Sequence, residues 1–163
     1  MSLWRHAAAV LVLPGVVTVA VPALIVWRTG ADLSPAAVVG IALIAAGALL
    51  MATTIRLFVS VGRGTLAPWD PTKRLVVLGP YRYVRNPMIS GVLFVLLGEA
   101  VSFASPPLFV WFGAAFAINA AYIPLVEERG LEERFGEDYR TYKSRVPRWL
   151  PRLRPWSPEE TAR

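Results

Sequence analysis

The sequence predicts an all-α polytopic membrane protein, with about four transmembrane helices and a cytoplasmic carboxyl-terminal helical segment. Three observations predict it. The chain of 163 residues is 55% hydrophobic and only 17% charged, where an ordinary soluble domain carries about 25% charged residues. Its apolar residues gather in four stretches, each close to the roughly 20 residues that a helix needs to cross about 30 Å of hydrocarbon. Its basic residues gather on one side of those stretches. Residues 1–163 are read as a single membrane domain.

The first stretch runs from Ala7 to Trp27. Arg5 precedes it, as in a secretory leader. However, it is longer than a leader's apolar core of about 7–15 residues and has no clear small-x-small cleavage site, so it reads as a retained span. Pro14 and Pro22 predict kinks, which membrane helices tolerate when neighbours satisfy the freed carbonyls. The second stretch runs from Pro35 to Val59, the third from Pro87 to Ser105 and the fourth from Pro107 to Val126. Gly40 and Gly47, Gly91 and Gly98, and Gly113, Ala117 and Ala121 recur at helical spacings, a pattern that lets helices approach closely in lipid. Two polar residues lie inside spans. Glu99 is either a functional carboxylate or one near enough to the outer surface to be hydrated or protonated, and Asn119 is expected to hydrogen-bond between helices.

Charge placement gives the orientation. With the amino terminus cytoplasmic, Arg28 is the only one of 17 Lys and Arg residues left outside. The other 16 lie at Arg5, near or within the loop from Arg56 to Arg85, or after Glu128. That asymmetry places both termini in the cytoplasm. The net charge of +6 then reads as topology plus contact with anionic lipid headgroups, with no role for nucleic acid. Cysteine is absent and His6 is the single histidine, so no metal site and no Ser-His-Asp triad is expected. The sequence does not give an oligomeric state.

The chemistry gathers at the inner edge. The third and fourth stretches form a hairpin through Pro106-Pro107. Their cytoplasmic ends, Gly79-Pro80-Tyr81-Arg82-Tyr83-Val84-Arg85-Asn86-Pro87 and Glu127-Glu128-Arg129, therefore meet in space. Pro87 suits the first turn of a helix, and the free N–H groups of that turn favour an anionic group. On these residues alone, a ligand site and a charged headgroup-level anchor are equally good readings.

The order and spacing of the residues tip that balance. The stretch GPYRYVRNPMISG, followed after the hairpin by EERGLEERFGEDYRTYKSRVPRWLP, resembles the isoprenylcysteine carboxyl methyltransferase and phospholipid methyltransferase family of integral membrane enzymes. That family's signature is Arg-His-Pro-x-Tyr-x-Gly, a span-sized gap, Glu, seven or eight residues, and Phe-Gly-x-x-Tyr. Arg85, Pro87 and Gly91 match its first half, and Glu127, Phe135, Gly136 and Tyr139 match its second. Asn86 stands for the motif histidine and Ile89 for the motif tyrosine. The resemblance covers roughly Lys73 to Pro151.

The resemblance implies methyl transfer from S-adenosylmethionine to a membrane-soluble, lipid-like or amphiphilic acceptor at the cytoplasmic face. It places the cofactor-site segments at about 73–91 and 127–151. It implies cofactor contacts at Lys73, Arg74, Leu75, Val76, Tyr81, Asn86, Pro87, Met88, Ile89 and Glu127, and Arg85 of the motif and the adjacent Glu128 are the candidate catalytic residues. Glu128 is the nearest candidate base for an acceptor that must lose a proton. The arginine by which prenylcysteine enzymes hold their substrate falls at Ile123 here, so the acceptor is expected to be a different lipid. An NADPH-dependent reductase like the membrane sterol reductases, and a non-enzymatic membrane scaffold, are the competing readings. In the tail, Leu131, Phe135, Tyr139 and Tyr142 form one apolar stripe on a surface helix bent at Gly136. Trp149, Leu150 and Trp156 are expected at headgroup level, in a segment that folds over the cofactor site.

Overall fold

The computed structural model describes residues 11–62 and 75–157. Among them every regular element is helical. A π-helical stretch, Leu11–Ala20, continues into α1 (Val21–Thr29). Then come α2 (Ala37–Leu57) with a π-helical extension Phe58–Gly62, a 3-10 turn at Gly79–Arg82, α3 (Pro87–Phe103) and α4 (Pro106–Tyr122). A second π-helical turn, Ile123–Glu127, joins α4 to α5 (Glu128–Arg145). Residues 7–10 of the first predicted span lie outside the described residues.

Two helices are long and apolar enough to cross a membrane, Ala37–Val61 and the continuous run Pro106–Arg145, of which the apolar part is α4 and its extension. Pro14–Thr29 and Pro87–Phe103 are shorter apolar helices. Around Pro14 the winding is wide rather than sharply broken, and the Thr18 hydroxyl donates to the Pro14 carbonyl at 2.7 Å. A wider turn is one way a helix accommodates a proline that cannot donate. Gly30, at φ 62°, ends α1 by donating to the Val26 carbonyl at 2.9 Å. Ser34 then ties the following loop to the far end of α3, its amide bonding Ser102 O at 2.7 Å and its hydroxyl Val101 O at 2.9 Å.

The closest packing is between α2 and α3, which run antiparallel. A Cβ at Gly47 would lie 2.5 Å from the Gly91 carbonyl oxygen and 2.9 Å from Val95. A Cβ at Gly98 would lie 2.5 Å from the Gly40 carbonyl oxygen. Backbone touches backbone there, as small residues in apolar helices allow. The expectation does not extend to α4. Gly113 has nothing within 4 Å of where its Cβ would be, and Ala117 and Ala121 are exposed. Asn119 likewise bonds within its own helix, to Ala115 O at 2.8 Å, because the preceding turn's carbonyl is the nearer acceptor. The core between α3 and α4 is Val92, Leu93, Leu96 and Ala115, closed by Val17, Trp111 and Phe112.

A second core lies beyond the helical hairpin. Tyr139, Tyr142, Val146 and Trp156 are buried together, with Leu75, Val77, Leu131 and Phe135 against them. The predicted stripe thus packs, and the predicted bend is present at Gly136, with φ 53° and ψ −125°. Trp156 is not an exposed anchor. It is buried, its ring 5.8 Å from that of Tyr142.

Candidate functional site

The approach to α3 is held from outside by the tail. Gly79, at φ 55°, opens the 3-10 turn that buries Tyr81 against Phe58. The Tyr142 hydroxyl donates to the Tyr81 carbonyl at 2.7 Å. Amides of Arg152 and Trp156 donate to the carbonyls of Tyr83 and Arg82, at 3.0 and 2.9 Å, and the Arg82 Nε returns a 2.7 Å bond to Trp156 O. The Arg85 amide donates to Pro147 O at 2.9 Å. Residues 146–157 therefore form a strap laid across residues 81–85.

At the centre is Glu128, 3% exposed. Its Oε1 lies 2.8 Å from Arg148 Nε and 3.1 Å from Arg85 Nη1, and its Oε2 lies 3.1 Å from Lys143 Nζ. The bend at Gly136 makes this possible. Fifteen residues of straight helix would put positions 128 and 143 about 22 Å apart, and the bend folds the second half of α5 back along the first. Arg140 reaches Glu132 at 2.8 Å by the same reversal.

The two neighbouring carboxyls are shifted in opposite directions. Burial alone would raise Glu128, but the Arg148 hydrogen bond, the Arg85 charge and the Lys143 hydrogen bond overcome it and leave its pKa below the ordinary value. A carboxylate so held is a poor proton acceptor, against the general-base role expected of it. Glu127 is shifted the other way, first by burial and then by the Glu128 charge, with Arg134 offsetting part of the rise. Tyr81 is also raised, by burial, by Tyr142 and by Glu127, so its phenol stays neutral.

Several side chains retain unused polar groups. Arg85 Nε and Asn86 Nδ2 are buried with no hydrogen-bond partner, and Arg85 Nη1 makes its ion pair to Glu128 without hydrogen-bond geometry. Asn86 stands at the N-cap of α3 without capping it through its side chain, and Pro87 fills the first helical position as predicted. The predicted residues divide accordingly. Arg85 and Glu128 are in contact, and Tyr81, Asn86, Pro87 and Glu127 lie around them. Val76 is buried and Met88 half-buried. Leu75 belongs to the tail core, and Ile89 packs on the Val92–Leu96 core. Lys73 and Arg74 lie outside the described residues. Lys143 was missed, since no local spacing marks it as a partner of Glu128. Nor does local spacing mark Arg148 as a partner of Glu128.

A family model described as phospholipid methyltransferase matches residues 35–138. The chain belongs to this family. The match spans α2, the hairpin and the first part of α5, including the first half of the motif and the second half as far as Gly136. The phospholipid methyltransferase family implies a methyltransferase that acts on lipid-like substrates, and with the apolar helices it identifies a membrane protein. It sets aside the reductase and scaffold readings. No curated protein and no solved structure matches the chain.

Proposed function

We propose that this phospholipid methyltransferase family member uses S-adenosylmethionine to methylate a membrane-soluble lipid or amphiphile other than a prenylcysteine, at the cytoplasmic face. The observation that carries the reading is the pair of buried, unpartnered donors, Arg85 Nε and Asn86 Nδ2, on consecutive residues at the start of α3. Buried polar groups are rarely left without partners, and those that are call for an explanation. The methionine carboxylate of the cofactor is an acceptor of the right charge for the two donors. Glu127 is suited to accept from ribose hydroxyls, and the neutral ring of Tyr81 to lie against adenine or the sulfonium. These residues fit the cofactor. When bound, S-adenosylmethionine supplies an electrophilic methyl group.

The protein's own work is alignment and exclusion of water. Arg85 is fixed from two sides, by Pro147 O at its amide and by Glu128 at its guanidinium. The strap closes the site along residues 81–85. Where the acceptor must lose a proton, Glu127 is the better base, because its raised pKa lets it take one. Lys73, Arg74, Leu75, Val76, Met88 and Ile89 complete the proposed cofactor surroundings. Four crossings, with both termini cytoplasmic, bring all of these residues to one face. Ile123, fully buried, leaves no cation where a prenylcysteine carboxylate would need one.

Titration calorimetry with S-adenosylmethionine and its demethylated product tests the reading. Arg85→Ala and Asn86→Ala should each weaken binding, by roughly ten- to a hundredfold for the charged partner. Absence of heat from the folded parent protein would refute it. Labelled methyl transfer into a lipid extract, with little into a farnesylated cysteine analogue, is the outcome expected for the acceptor. The reverse pattern would refute the acceptor assignment alone.

A further inference from the structure

The strap carries a feature that the cofactor site does not use. Trp149 packs on the Val92–Leu93–Leu96–Ala115 core, its ring 5.7 Å from that of Phe116. Phe116 lies six residues before Tyr122, about 9 Å back along α4 from its end. The strap therefore dips from the charged layer to the depth of the apolar one. Beside Trp149, Leu150 is 80% exposed and Leu153 is 99% exposed, the most exposed large apolar side chains among the described residues. Pro147 and Pro151 bring no backbone N–H to this stretch, and the Arg152 amide is already bonded to Tyr83 O. The amides of Trp149, Leu150, Leu153 and Arg154 have no backbone partner among the described residues, so this stretch suits the hydrated headgroup level, with only side chains reaching the acyl chains.

The charges around it have one sign. Six Lys or Arg residues and no Asp or Glu lie between Tyr139 and Ser157. Arg140, Lys143 and Arg148 are committed to ion pairs within the cap. Arg145, Arg152 and Arg154 have no acidic partner among the described residues. Exposed leucines between unpaired arginines, held by a tryptophan at membrane depth, have the chemistry of an interfacial anchor for anionic lipid.

We propose that Trp149–Arg154 docks into an anionic lipid leaflet, with Leu150 and Leu153 among the acyl chains and Arg145, Arg152 and Arg154 at the phosphates. This rests on the reading that α4 crosses the membrane. Because the same strap holds Arg85 through Pro147 and Glu128 through Arg148, the leaflet is mechanically connected to the proposed cofactor site.

The absence of cysteine makes single-site labelling direct. A bimane probe is placed at Leu153→Cys, with Val110→Cys on the exposed face of α4 and Ser144→Cys on α5 as references. The labelled proteins are reconstituted in nanodiscs of phosphatidylcholine, with or without phosphatidylglycerol. The Leu153→Cys probe should be quenched by acyl-chain nitroxide lipid and shielded from acrylamide, more so with phosphatidylglycerol. Arg152→Glu combined with Arg154→Glu should remove that increment. A Leu153→Cys probe that behaves like Ser144→Cys, while Val110→Cys is quenched by lipid, overturns the docking alone. Equal quenching with and without phosphatidylglycerol overturns the choice of anionic lipid. If Val110→Cys is also reached only from water, the membrane reading of α4 fails and the proposal fails with it.

Discussion

The seam between α2 and α3 and the charged cap around Glu128 solve the same problem by opposite means. Along the seam, Gly40, Gly47, Gly91 and Gly98 have no side chains, and the gain is van der Waals contact between backbones. In the cap, three long side chains from two distant stretches of sequence, Arg85 and the segment from Lys143 to Arg148, converge on one carboxylate. The seam fails by receiving an atom, and the cap fails by losing one. A region built from absent side chains tolerates no addition. A region built on a buried charge tolerates no unpaired remainder.

The largest effect should come from the cap. Glu128→Gln removes the charge that compensates Arg85, which is itself only 10% exposed. Breaking a buried pair costs about 3–5 kcal/mol, and the low end applies here because Lys143 and Arg148 are partly exposed and solvent-screened. The loss should appear in unfolding of the detergent-solubilised protein. It should also flatten the acid side of the stability profile. The folded-state pKa of Glu128 is depressed, so its contribution is present above the ordinary value of 4.5 and is lost as pH falls through the lowered one.

A smaller loss is expected at the seam. Gly47→Val adds atoms where even a Cβ would lie 2.5 Å from the Gly91 carbonyl, and overpacking of this kind typically costs about 1–3 kcal/mol. Unlike the first variant, it should leave the pH profile unchanged in shape. A pH-dependent loss at Gly47→Val would show that seam and cap are not independent.

The smallest effect on stability should be at Glu127→Gln, and its sign should be the reverse of that at Glu128. A carboxyl with a raised folded-state pKa favours folding most below the ordinary value of 4.5, and that advantage is lost as pH rises through the raised one. Glu127→Gln should therefore be neutral to slightly stabilising at neutral pH, by a few tenths of a kcal/mol, while it weakens cofactor binding. Equal destabilisation by Glu127→Gln and Glu128→Gln would erase the distinction between them.

The two regions were not equally legible in sequence. The glycine pairs of the seam recur at helical spacing within two apolar stretches, so their packing could be read from periodicity alone. Arg85 and Glu128 could also be brought together, because Pro106 and Pro107 mark the turn of a hairpin. Lys143 could not be found. Its meeting with Glu128 depends on one residue, Gly136, leaving helical geometry, and helical arithmetic without that bend separates the pair. Trp156 was misplaced for a related reason: an aromatic residue in a basic, proline-rich tail has the composition of an interfacial anchor whether or not a second core exists to bury it. The outward-facing small residues of α4 show the limit of spacing as evidence, since periodicity names a face without saying what it meets.

The ion pairs of Glu128 also impose an order in time. The ribosome delivers Arg85 first and Glu128 well after it, and Lys143 and Arg148 follow Glu128 by about four and five and a half further helical turns' worth of chain. The carboxylate thus emerges ahead of two of its three cations. Only when Arg148 has emerged can Glu128 leave water fully paired, so the helices are threaded before the charged cap can close. A nascent chain halted between Glu128 and Lys143 would carry the seam without the cap.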